Sequence, residues 1–179
     1  MSNLPAPVAD RLQALSAQTD QLLRQVAAVS PEQRLHKPAP DVWSPLEVLY
    51  HVYAAERASL RSVERFVRSG KRALPESFAS KMRVVKLLLG NTLPIRLKAP
   101  ALVAKMPDVL SLEALQTNWT SLRTELRQFL ETLPPELYGQ TIFRHPFVGD
   151  ITPEGMVYFF QLHMARHTKQ IRRRLSETP

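Results

Sequence analysis

Apolar residues recur along this chain at helical steps over four long stretches. In the first, Val8, Leu12, Leu15, Leu22 and Val26 fall three to four residues apart with one longer gap, which predicts a helix over about Val8 to Val29. The second opens at Ser44-Pro45-Leu46-Glu47. Serine suits the cap, proline the first helical position, and Glu47 completes a capping box, so a helix runs from there to about Arg68, where Gly70 stops it. A third starts near Ser111 and ends at Leu133, before Pro134-Pro135. The fourth begins at Thr152-Pro153-Glu154 and meets no further proline before about Leu175.

Between the second and third helices lies an irregular stretch, Lys71 to Asp108. A short helix fits Ser80 to Leu89, and Pro94, Pro100 and Pro107 forbid a long one. Strand signals are confined to Gln140–Phe143 and Phe147–Asp150, enough for one small hairpin. The predicted fold is all-α: a four-helix bundle with a long crossover between its second and third helices, in one domain over residues 1–179.

Composition supports this picture. Glycine is scarce at 5 and proline plentiful at 15, as expected of helices with proline-punctuated joints. Cysteine is absent, which excludes disulfides, thiolate metal ligands and a cysteine nucleophile, and suits a cytoplasmic location. No apolar run approaches the ~18 residues of a membrane span, and no basic-then-apolar leader is visible at the N-terminus.

The net charge of +8 is local. From Arg61 to Lys105 there are eleven basic residues against Glu64 and Glu76, so this segment alone carries +9. Lys81-Met82-Arg83-Val84-Val85-Lys86-Leu87 mixes cations and aliphatics as a membrane-surface helix does, and the whole segment can attract nucleic acid non-specifically. Only Phe66 and Phe78 interleave it, too few aromatics for a single-strand stacking platform, so specific nucleic-acid binding is not expected. A solvated crossover packed on the bundle accounts for the same residues.

The histidines carry the chemistry. His163 and His167 are four apart on the fourth helix, which places two imidazoles on one face, one turn apart, within reach of a single ion. Phe159, Phe160, Ile171 and Leu175 mark that face as the inward one. His51, on the second helix, has Val48, Ala54, Ala55 and Ala58 around it, small residues that leave space. Each unpaired buried polar group costs about 1–3 kcal/mol, and one shared metal gives all three rings a partner. His51, His163 and His167 are therefore the candidate metal ligands.

Three imidazoles suit zinc, nickel, iron or copper and leave open positions on the ion. The residue following His163 is Met164, not the glutamate of a His-Glu-x-x-His protease helix. Glu47, one turn before His51, and Gln170, on the face of the histidine pair, are the candidate catalytic residues, although capping explains Glu47 equally well. Glu56 lies roughly 140° around the helix from His51 and points elsewhere. His36 reads as a surface residue, Arg166 as solvated charge, and His145 as a turn histidine in the loop entering the fourth helix.

Taken together, Trp43-Ser44-Pro45-Leu46-Glu47-Val48-Leu49-Tyr50-His51, Lys98-Ala99-Pro100, His145-Pro146-Phe147-Val148-Gly149-Asp150-Ile151-Thr152 and His163-Met164-Ala165-Arg166-His167-Thr168-Lys169-Gln170-Ile171 resemble the DinB/YfiT-like superfamily in order and spacing over nearly the whole chain. The resemblance implies an up-up-down-down four-helix bundle with a divalent metal, zinc or nickel foremost, on His51, His163 and His167. Relatives of this kind include transferases that use low-molecular-weight thiols, thiol-linked isomerases and hydrolases, and they are commonly dimers. It thus implies a metal-dependent thiol S-transferase or hydrolase acting on a small molecule as a homodimer. The alternative is a non-catalytic protein that retains the metal, or one that binds a partner through its basic surface.

Overall fold

The computed structural model describes residues 4–79, 81–82, 85, 105–107, 110–145 and 149–176. It is mostly helical, and four long helices form its core. Helix α1 (Ala6–Ala27) buries Val8, Leu12, Leu15, Leu22, Leu23 and Val26. The longer gap in its apolar pattern is filled by Thr19, which is buried because its hydroxyl donates to the Leu15 carbonyl at 2.9 Å. A five-residue helix, α2 (Pro31–Leu35), follows. It begins with a capping box of its own, Ser30 with Gln33.

Helix α3 (Pro45–Arg68) starts as its sequence predicts. The Ser44 hydroxyl accepts from the Glu47 amide at 3.2 Å, and the Glu47 carboxylate accepts from the Ser44 amide at 2.8 Å. Two otherwise unpaired amides are thereby satisfied. The helix ends at Gly70, whose φ of 64° lies in the left-handed region where glycine carries no side-chain penalty.

Strand β1 (Leu74–Pro75) comes next. Beyond it Phe78, Ala79, Lys81, Met82 and Val85 are helical. The rest of the short helix expected over Ser80–Leu89, and positions 86–104 of the basic segment, lie outside the described residues. Helix α4 (Leu112–Thr132) is capped by Ser111, which accepts from the Ala114 amide at 3.1 Å, and gives way at Leu133-Pro134.

A 3-10 turn (Pro135–Gly139) leads into β2 (Gln140–Thr141), β3 (Phe143–His145) and β4 (Gly149–Ile151). Strands β3 and β4 pair antiparallel with Phe143 opposite Ile151 and His145 opposite Gly149; this is the small hairpin expected, shifted by a few residues. Strand β2 pairs with β1 across the chain, Leu74 opposite Thr141, a contact no local pattern announces. The chain is mostly helical, as expected, with two small two-stranded sheets beside the helices. Helix α5 (Pro153–Ser176) closes the fold, with Thr152 accepting from the Gly155 amide at 3.2 Å.

Helix α5 packs against α1 and α3, and α3 also packs on α4. The core between them is mainly apolar, and one polar crossing spans three of the helices. There the buried Glu56 carboxylate of α3 pairs with Arg123 of α4, and Arg123 also donates to the Thr19 hydroxyl of α1 at 2.7 Å. No helix among the described residues is long and apolar enough to cross a membrane.

Candidate metal centre

The packing of α3 on α5 decides the site. On α5 the buried stripe is Met156, Phe160, Met164 and Ile171. The histidine pair does not lie within this stripe but beside it, on a half-buried column made of Phe159, His163 and His167 at four-residue steps, with Gln170 three further on. From α3, the buried His51 meets this column. Its ring centroid is 5.3 Å from that of His163 and 5.0 Å from that of His167. One nitrogen from each of the three rings lies within 4.8 Å of the others. The ligand set expected from sequence is therefore assembled by two helices from distant parts of the chain, and no carboxylate belongs to the cluster among the described residues.

Each ring is held by a different neighbour. Trp43, just before the α3 cap, lies 5.0 Å from His51, centroid to centroid. Gln170 Oε1 accepts from His167 Nδ1 at 2.8 Å. A proton fixed on Nδ1 leaves the lone pair of His167 on Nε2, the tautomer needed for ligation through that atom. The His167 Nε2 faces His163 Nε2 at 3.1 Å. His163 Nδ1 is buried with no hydrogen-bond partner among the described residues. The Phe159 ring stacks on His163 at 5.3 Å and 29°.

The electrostatics keep the His163 and His167 rings neutral. Burial, followed by the neighbouring His167, His51, His145 and Arg166, drives the His163 pKa well below its ordinary value. Burial and then His51 bring His167 down to about 4, the Gln170 hydrogen bond opposing them. Near pH 7 both rings offer lone pairs without first losing a proton, and unprotonated imidazole is the form that ligates metal.

The donor set fits a divalent transition ion. Two ligands on a tetrahedral ion with bonds of about 2.0–2.1 Å sit roughly 3.3 Å apart, close to the 3.1 Å between the paired nitrogens.

The remaining candidates separate. The Glu47 carboxylate is engaged twice, by the Ser44 amide and by Lys37 Nζ at 2.6 Å. Glu56 turns away from His51 into the ion pair with Arg123. His36 is half-buried at the end of α2. His145 corrects the sequence reading: it is no exposed turn residue but a buried residue of β3, 5% exposed, with its pKa lowered by burial to about 4. Its ring lies T-shaped against Phe159 at 4.3 Å. The signal that could have placed it is the alternation of Phe143 and His145 on one face of a strand, with Arg144 exposed between them.

A family model described as the DinB superfamily matches residues 9–171, a span that includes all three histidines of the cluster. Neither the curated proteins nor the solved structures contain a match.

Proposed function

Given that this chain belongs to the DinB superfamily, we propose that it is a metal-dependent enzyme acting on a small molecule, with His51, His163 and His167 as the ligands of one divalent ion, zinc or nickel. The observation that carries this reading is the convergence of three imidazole nitrogens within 4.8 Å, from two helices, with no carboxylate among them. An ion held by three neutral ligands keeps open positions and supplies Lewis acidity, which lowers the pKa of a bound thiol or water. The reaction class is accordingly transfer of a low-molecular-weight thiol, or hydrolysis.

The side chains divide the remaining work. Gln170 holds the proton on His167 Nδ1 and so keeps Nε2 turned to the cluster. Glu47 fixes the first turn of α3 and with it the placement of His51, one turn on; its two existing partners favour positioning over proton transfer. Trp43 covers one side of His51. An up-up-down-down helix order and a homodimer, which the family resemblance supports, complete the proposal, with a single domain over residues 1–179 from the chain length and a cytoplasmic location from the absence of cysteine.

Elemental analysis of tag-free protein tests it. About one equivalent of zinc, nickel or a similar ion per chain is expected, and its loss in both His51→Ala and His163→Ala. Wild-type protein that stays metal-free after incubation with divalent ions overturns the reading. With the metal in place, thiol-transfer and hydrolase screens distinguish the two reactions.

A further inference from the structure

A histidine that binds a metal through one nitrogen is normally oriented by a hydrogen bond at the other. His167 has this support from Gln170. His163 does not, since its Nδ1 is buried without a partner among the described residues. Yet His163 is the middle ring of the cluster, facing His167 at 3.1 Å and lying edge-on to His51 at 5.3 Å. Among the described residues, no hydrogen bond at Nδ1 holds its plane.

The geometry points to Phe159, and we propose that Phe159, braced by His145, is the positioning residue for His163. The inference rests on the metal reading above. Phe159 is one turn before His163 on α5, where side chains four apart lie over one another. The two rings are close to parallel, 29° apart, with centroids at 5.3 Å, within the range of an offset stack. Phe159 is itself clamped. His145 lies T-shaped against it at 4.3 Å and 71°, and Phe143, on the same face of β3, stacks beside it at 6.4 Å and 29°. The hairpin thus reaches the cluster through one aromatic ring, in the order His145, Phe159, His163, His167, Gln170. Stacking fixes the plane of the His163 ring and leaves Nε2 free to ligate, the part that the Gln170 hydrogen bond plays for His167.

Cobalt(II) is the probe, because its visible spectrum reports the arrangement of its ligands and its affinity is measurable by competition with a chelator. Phe159→Leu retains an apolar side chain but removes the ring face. Its cobalt affinity should fall about ten- to a hundred-fold, as for other residues that orient a ligand, with altered visible bands. Phe159→Tyr keeps the ring and should stay near wild type on both readouts. His145→Leu, which removes the brace and leaves the stack, should cost several-fold in affinity and provides a second arm should Phe159→Leu not fold. Wild-type affinity and spectrum in Phe159→Leu, or in His145→Leu if that is the arm that folds, overturn the role of Phe159 alone. A wild-type protein that takes up no cobalt overturns the metal reading and this proposal with it.

Discussion

At the scale of single residues, the site is a set of imidazoles kept neutral by burial. His145 and His167 are held at about 4 and His163 well below its ordinary value, against 6.5 for an exposed ring. Between those values the unfolded chain binds protons that the folded chain does not. The stability of metal-free protein is therefore complete above about pH 6.5, declines as pH falls toward 4, and levels once the folded rings also protonate. Each ring contributes a slope of about 1.4 kcal/mol per pH unit. A thermal midpoint roughly 10–20 °C lower at pH 5 than at pH 7.5 follows for a chain of this length. A flat midpoint between those values would show that the rings are not buried as described. Gln170→Ala should weaken metal binding about tenfold or more by freeing the His167 tautomer, measured by chelator competition.

The three clustered histidines are legible in sequence, the pair through helical periodicity and His51 through its neighbours. Spacing puts His163 over His167, and small neighbours mark out His51. His145 was not legible, because its burial depends on a strand register, His145 opposite Gly149, and on a partner ring from another element.

At the scale of elements, local chemistry at the helix ends decides where side chains land. The serine-proline-x-glutamate start of α3 could be read directly, and both of its reciprocal hydrogen bonds form. Ser30-Pro31-Glu32-Gln33 carries the same signature, but α2 is too short for apolar periodicity to mark it. The two-residue strands β1 and β2 exist only because they pair with each other, so neither segment carries a pattern of its own. Ser44→Ala removes one partner of the α3 box and should cost about 1 kcal/mol. In thermal unfolding the midpoint should drop by roughly 2–4 °C. No drop would mean that the Glu47 and Lys37 contacts hold the helix start by themselves.

At the scale of the whole molecule, the buried crossing of Glu56, Arg123 and Thr19 ties α3, α4 and α1 together. Sequence separates Glu56 correctly from the histidines but supplies no way to find Arg123, because complementarity between distant helices has no local trace. Removing one member strands the other charge, so Glu56→Ala should destabilise by about 3–5 kcal/mol. The double variant Glu56→Leu, Arg123→Met should recover much of that loss in a denaturant titration, because it leaves no unpaired charge. Both should keep cobalt affinity near wild type; a large loss would mean that the crossing also sets the packing of α3 on α5.

That packing has one more result. His51 and the His163/His167 pair come from segments far apart in the chain, so the proposed ion, shared by α3 and α5, would close a long loop and act as a removable clasp. Because such an ion binds the folded state and not the extended chain, free metal at a thousand times its dissociation constant adds about 4 kcal/mol to stability. The temperature at which this protein melts then becomes a gauge of the metal supplied to it.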